Sequence, residues 1–282
     1  MRIALSAFPL LYLLSCTGVT TPPRTDIGVQ LYTVRGEMER DAFATLRHVA
    51  ALGFGEVEFA GAYGNPPEAL CAETRKLGLG VAAAHADWQK LRRDPSAAIA
   101  EAKALCADTV MLAWLPPEER RTREQWENWI NQLNRANELA RAEGLALAYH
   151  AHDFEFEQVG GIRPIDLLME GLDPQIGFEL DTYWIAKAGL DPLQFLKDHA
   201  DRVTHLHLKD MAADGSMADV GNGVLDIEAI VAQARAQGVK HFLVERDDAP
   251  DPWASLATSL DSLRPMALQR RAPSIPSGAT KP

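Results

Sequence analysis

Imidazoles, carboxylates and an ammonium recur at the ends of short apolar runs in this chain. His150, Asp181, His207 and Glu245 each close such a run, His85 and Trp114 close two others, and Glu58 stands near the end of one more. His152 and Glu155 follow His150, Trp184 follows Asp181, and Lys209 follows His207. If the runs are parallel strands, their C-terminal ends converge on one face. Carboxylates crowded there against apolar walls are costly to desolvate without a counterion, and a divalent cation would supply one. His150, Asp181, His207 and Glu245 occupy the same relative position in their runs, which makes them the expected ligands of one such ion. Imidazole with carboxylate suits manganese, cobalt, iron or zinc better than magnesium. His205, two residues before His207, shares its side of the strand and reads as a core histidine one layer deeper.

The elements that must position these groups are legible as an alternation. Strands are expected at 27–32, 56–60, 79–84, 109–114, 145–150, 176–180, 203–209 and 241–245. Each is short and almost wholly apolar, as strands covered on both faces are. Helices are expected between and after them at 41–51, 67–77, 94–106, 123–143, 164–171, 191–199, 226–237 and 251–263. Asp94-Pro95, Asp191-Pro192 and Asp251-Pro252 pair a capping carboxylate with a first-turn proline, and Gly53, Gly78, Gly144 and Gly238 follow four helices. Eight such units in residues 26–266 predict a single α/β domain, a (β/α)8 TIM barrel. An open doubly wound sheet would carry a glycine-rich turn after its first strand, where Gln30, Leu31 and Tyr32 stand instead.

Flanking segments are set apart by composition. Residues 1–25 combine a charged start, an apolar stretch too short to span a bilayer and Leu13-Leu14-Ser15-Cys16, which is similar to a bacterial lipobox. They are expected to be a signal peptide with lipid attachment at Cys16 and a tether, implying an exported, periplasmic protein held to the membrane only by that lipid. Residues 267–282 hold three prolines and no apolar period and are expected to form a disordered tail. Cys71 and Cys106 are either buried thiols or, in an oxidising compartment, a disulfide. The net charge of −11 argues against nucleic acid as a partner but not against a neutral carbohydrate.

Seven stretches carry a family resemblance: GVQLYTVR (28–35), EVEFAG (56–61), YHAHDFEF (149–156), DTYWIAKAG (181–189), HLHLKD (205–210), DVGNG (219–223) and VERD (244–247). Through them the chain resembles the xylose-isomerase-like TIM-barrel superfamily, in particular its secreted sugar phosphate isomerase/epimerase branch. The resemblance implies one divalent ion held by Glu, Asp, His and Glu from strands five to eight. Asp181, His207 and Glu245 match the last three, and His150 falls where the first Glu belongs, with His152 or Glu155 as other candidates to reach the metal. It further implies an isomerase or epimerase that acts on a sugar or keto-sugar through an enediolate. Glu245 is the expected base and His150 or His152 its partner, since both side-chain types exchange protons near neutrality when tuned. Glu58, His85, Trp114, Glu155, Trp184 and Lys209 are the expected substrate contacts. With one of the two family glutamates replaced, a lyase or hydratase eliminating from a 3-keto-glycoside is the alternative chemistry, and a non-catalytic sugar-binding lipoprotein is the alternative class. A more distant relative, apurinic endonuclease, has His where Trp184 stands.

Overall fold

A computed structural model describes residues 24–268. The expected lipobox at Cys16, the expected signal peptide and nearly all of the expected tail lie outside the described residues. The chain begins with β1 (Ile27–Gln30), a 3-10 turn and α1 (Arg35–Leu52), then β2 (Glu56–Phe59), α2 (Pro67–Leu77) and β3 (Gly80–His85). Next come α3 (Trp88–Arg93), α4 (Pro95–Ala104), β4 (Thr109–Leu112), α5 (Arg123–Ala142), β5 (Ala146–His150) and α6 (Pro164–Gly171). β6 (Gly177–Asp181), α7 (Thr182–Lys187), α8 (Pro192–Asp198) and β7 (Val203–Leu208) follow. A small hairpin of β8 (Asp210–Met211) and β9 (Met217–Ala218), then α9 (Ile227–Gln237), β10 (His241–Val244) and α10 (Pro252–Leu263), complete it. Among the described residues eight strands close into a parallel barrel in the order β1-β10-β7-β6-β5-β4-β3-β2, so the expected (β/α)8 architecture is the observed one.

The punctuation works as its chemistry requires. The carboxylates of Asp94, Asp191, Asp226 and Asp251 each accept backbone N–H groups of the helix that follows, satisfying donors that have no intrahelical partner. Gly53, Gly78, Gly144 and Gly238 all adopt positive φ, the conformation that ends a helix and turns the chain toward the next strand. Helix α1 starts earlier than position 41 because a helical turn precedes a break at Asp41, whose side chain then caps Ala44 and restarts the helix. Two short helices, α3 and α7, escape a periodicity reading because six residues hold fewer than two turns. Strands β1, β4, β7 and β10 stop one or two residues short of the expected ends, where the chain leaves the ladder to form the mouth.

Period-two alternation divides each strand between two environments. Val57, Phe178, Leu180, Leu206 and Leu208 join the hydrophobic layer between barrel and helices. Their neighbours Glu58, Glu179, Asp181, His205 and His207 are also buried, but on the inner side of the barrel, where Ala83, Met111, Ala113 and Ala148 form a separate small apolar cluster. The small alanine side chains leave the inner space that the acids and imidazoles occupy.

Candidate active site

His207 is the hub of the barrel mouth. It lies opposite Asp181 on β6 and Leu243 on β10 in the sheet register, and its ring is wholly buried. Its Nε2 lies 3.1 Å from Glu179 Oε1 and 3.4 Å from Glu58 Oε2, while its Nδ1 lies 2.9 Å from Glu245 Oε2 and 3.8 Å from Asp181 Oδ2. Burial alone would lower the pKa of His207. The charges of Glu179, Glu245 and Glu58 outweigh it and hold the imidazole well above its usual range. His150 Nδ1 stands 3.0 Å from Glu179 Oε2. Burial and the neighbouring His152 nevertheless push its pKa well down.

Lys209 fills the other side of the cluster. Its Nζ is 2.8 Å from Glu245, 3.1 Å from Asp181 and 3.2 Å from Asp247. Burial opposes its charge, but Asp181, Glu245 and Asp247 together raise its pKa. In return Lys209 and then His207 overcome burial at Glu245 and hold that carboxyl well below the ordinary range. Burial and the charge of Glu245 raise Asp247 to about 6. The ammonium thus neutralises the carboxylates on its own side of His207. Asp210, which follows it in sequence, is not its partner and instead binds backbone N–H groups of the next loop.

The donors fit a divalent cation. Ligand atoms of His150, Asp181 and His207 lie within 4.8 Å of one another, as do those of Glu58, Glu179 and His207. His150 Nδ1, His207 Nδ1, Asp181 Oδ2 and both oxygens of Glu179 are buried without a completed hydrogen bond. They approach one another closely yet lack the alignment that hydrogen bonding demands, and they fall into the two groups just described, with Glu179 facing His207 Nε2 and Asp181 facing His207 Nδ1. The other oxygen of Asp181 accepts the N–H groups of Tyr183 and Trp184 at the start of α7, which fixes the direction of Oδ2. Three of the four expected ligands therefore converge. Glu245 sits beside them with Oε2 shared between His207 and Lys209.

Above this floor opens a cavity of about 630 Å³. His85, Trp114, His152, Trp184, Lys209 and Glu245 line it. His152 is kept neutral by burial, which lowers its pKa to about 4, and its ring packs edge-on to His150 at 4.6 Å. Two expectations need correction. Glu155 does not face the cavity: the Tyr149 hydroxyl donates to one of its oxygens at 2.5 Å and the His152 N–H to the other at 2.8 Å. Those bonds consume the carboxylate in holding the loop after β5. Glu58 lies beneath the cavity, fully buried between His85 at 2.6 Å and His207, where a substrate cannot reach it. Burial would raise its pKa, but the charge and hydrogen bond of His207 and the bond from His85 hold it well down. His205 is the core histidine expected, bonded to the Thr204 hydroxyl at 2.8 Å and stacked on His241.

Glu179, Asp247, Tyr32 and Arg120 were not foreseen. Glu179 is signalled only by parity, two residues before Asp181 on the same strand. Burial and then the charge of Glu58 raise its pKa well above the carboxylate range. Asp247 and Arg120 line the cavity from loops, where no strand period marks them, and Tyr32 lines it from the 3-10 turn Leu31–Val34, which replaces the end of the strand expected at 27–32.

Known proteins bear on this arrangement. A family model described as xylose isomerase-like TIM barrel matches residues 46–266. An inosose dehydratase of Geobacillus kaustophilus is 28% identical over 192 residues, 60% of this chain and 62% of its own length. That of Geobacillus thermodenitrificans is 30% identical over 149 residues, 46% and 49% respectively, so the chain spans roughly half to three-fifths of the curated relatives it matches. A crystal structure of a sugar phosphate isomerase/epimerase from Parabacteroides distasonis superposes with a TM-score of 0.73 at 25% identity, covering 84% of this chain and 96% of its own.

Proposed function

The chain belongs to the xylose isomerase-like TIM barrel family, and from that premise we propose that it is a divalent-metal-dependent enzyme of a sugar or keto-sugar, an isomerase or epimerase working through an enediolate. The convergence of His150, Asp181 and His207 within 4.8 Å, beneath a cavity open to solvent, carries the proposal. Those three residues would hold the ion, which supplies a Lewis acid that polarises a carbonyl. Manganese, cobalt, iron or zinc suits this mixture of imidazole and carboxylate. Glu245 faces the cavity and is the acceptor for a proton next to that carbonyl. His152 presents a neutral imidazole to the same space and is its partner in moving the proton. Lys209 keeps a positive charge where negative charge develops on the substrate oxygens.

The curated relatives named above are inosose dehydratases, which favours a second reading. Proton removal by Glu245 would be followed by loss of the β-substituent, as in elimination from a 3-keto-glycoside. His150 in place of a family glutamate supports it, because elimination needs no second carboxylate on the opposite face. Export to an oxidising compartment is proposed with both readings. The short apolar stretch before Cys16 and a disulfide between Cys71 and Cys106 support it.

Metal analysis of the purified full chain, followed by solvent-deuterium exchange on a panel of ketoses and 3-keto-glycosides, tests the proposal. One bound transition-metal ion per chain is expected, lost in His207→Ala, with exchange abolished by a chelator. Exchange without loss of a substituent marks the isomerase or epimerase. Release of water or an alcohol marks the lyase. Full turnover after chelation refutes the metal mechanism, and sugar binding without metal or exchange identifies a binding protein instead.

A further inference from the structure

The reacting groups occupy only the floor of the cavity. His150, His207 and Lys209 are 3%, 1% and 1% exposed, whereas the space above them amounts to about 630 Å³. Pockets of roughly 300–1,000 Å³ hold drug-sized ligands, larger than a single sugar ring. The outer wall is aromatic and open. Tyr32 is 42% exposed and Trp114 46% exposed, which places both among the few large apolar side chains left in water, and both line this cavity. Tyr32 follows β1 and Trp114 follows β4, three strands away around the closed barrel, so they stand on different sides of the mouth. Neither is a core residue. Tyr32 is nonetheless held in place: the Arg35 guanidinium lies 4.3 Å from its ring centroid and donates to the carbonyls of Tyr32 and Asp247. A second hollow of about 330 Å³, lined by Thr33, Arg35, Glu37 and Glu39, shares Asp247 with the first. The mouth therefore continues past the β1–α1 turn.

Exposed aromatic rings at the entrance to a polar floor suit a ring with apolar C–H faces and wet hydroxyl edges, because stacking covers the faces and leaves the edges in water. We infer that Tyr32 and Trp114 form a second carbohydrate subsite, and that the substrate is a glycoside or disaccharide whose reacting ring lies on the floor and whose second ring stacks at the rim. This rests on the carbohydrate reading proposed above.

The test measures dissociation constants by titration calorimetry on the full chain. Glucose, xylose, galactose and their 3-keto derivatives are compared with cellobiose, xylobiose, lactose and theirs. At least one two-ring sugar is expected to bind fivefold or more tightly than its single-ring counterpart. Tyr32→Ala with Trp114→Ala is expected to bring that ratio toward one, while Tyr32→Phe with Trp114→Phe keeps it. Both pairs should melt within about 2 °C of the wild type, since exposed positions contribute little to stability. If single rings bind and the second ring adds nothing, or if the advantage survives the alanine pair, the rim subsite is wrong and the carbohydrate reading stands. If sugars of neither size bind, the carbohydrate reading fails and the subsite with it.

Discussion

The carboxyl of Glu155 is fully enclosed, and burial raises its pKa to about 7 despite hydrogen bonds from Tyr149 and His152. In the unfolded chain a glutamate titrates near 4.3, so between those values the unfolded state loses its proton while the folded state keeps it. The folded state then binds more protons, and stability contributed by this group falls as pH rises through that window and levels off above it. Each tenfold difference in proton affinity between the two states corresponds to about 1.4 kcal/mol, so the loss is at most about 4 kcal/mol. Glu155→Gln, which cannot ionise, is expected to flatten the decline in unfolding free energy between acid and neutral pH, measured by denaturant titration. An unchanged pH dependence would mean that Glu155 is already ionised in the folded protein.

Among the connecting elements, the loop between β9 and α9 shows how one side chain can shape a segment of the mouth. The Asp210 carboxylate accepts the N–H groups of Met211 at 2.8 Å, Gly221 and Gly223 at 3.0 Å and Leu225 at 3.2 Å. A Cβ on Gly223 would collide with that carboxylate and with the Met211 carbonyl, so this close approach requires glycine there. Asp210→Ala removes the shared acceptor of those half-buried donors, at about 0.5–1.5 kcal/mol for each hydrogen bond lost. A melting temperature lowered by on the order of 10 °C is expected, from the usual scaling for a domain of this size. Asp210→Asn, which keeps one acceptor oxygen, should lose less. Equal melting of Asp210→Ala and wild type would show that the loop holds itself without that carboxylate.

At the scale of the whole molecule, one covalent link joins helices that the barrel brings side by side. Cys71 in α2 and Cys106 just after α4 form a disulfide with Cα atoms 5.4 Å apart and a sequence separation of 35. Closing a loop of that length restricts the unfolded chain by about 4 kcal/mol in the entropic account. Reductant is expected to lower the melting temperature by on the order of 10 °C. The double variant Cys71→Ala with Cys106→Ala should melt low with or without reductant. Identical melting of oxidised and reduced wild type would remove the link from the stability of the fold.

Much of the architecture could be read from the chain itself, because strands buried on both faces must be apolar and helices in such units must be capped. Asp94-Pro95, Asp191-Pro192, Asp251-Pro252 and the four glycines after helices marked those boundaries locally. The places of Asp181, His207 and Glu245 followed from the same logic, since strand ends in a closed parallel barrel share one face. What the chain could not declare was which inward groups meet across the barrel. Glu58 and His207 are 149 residues apart, and parity marks Glu179 as inward without naming its partners. Lys209 between Asp181, Glu245 and Asp247 is a product of closure. A local pattern records only which side of a strand a residue takes, whereas the distances that set charge, proton affinity and metal fit arise when the eight strands curl into one ring.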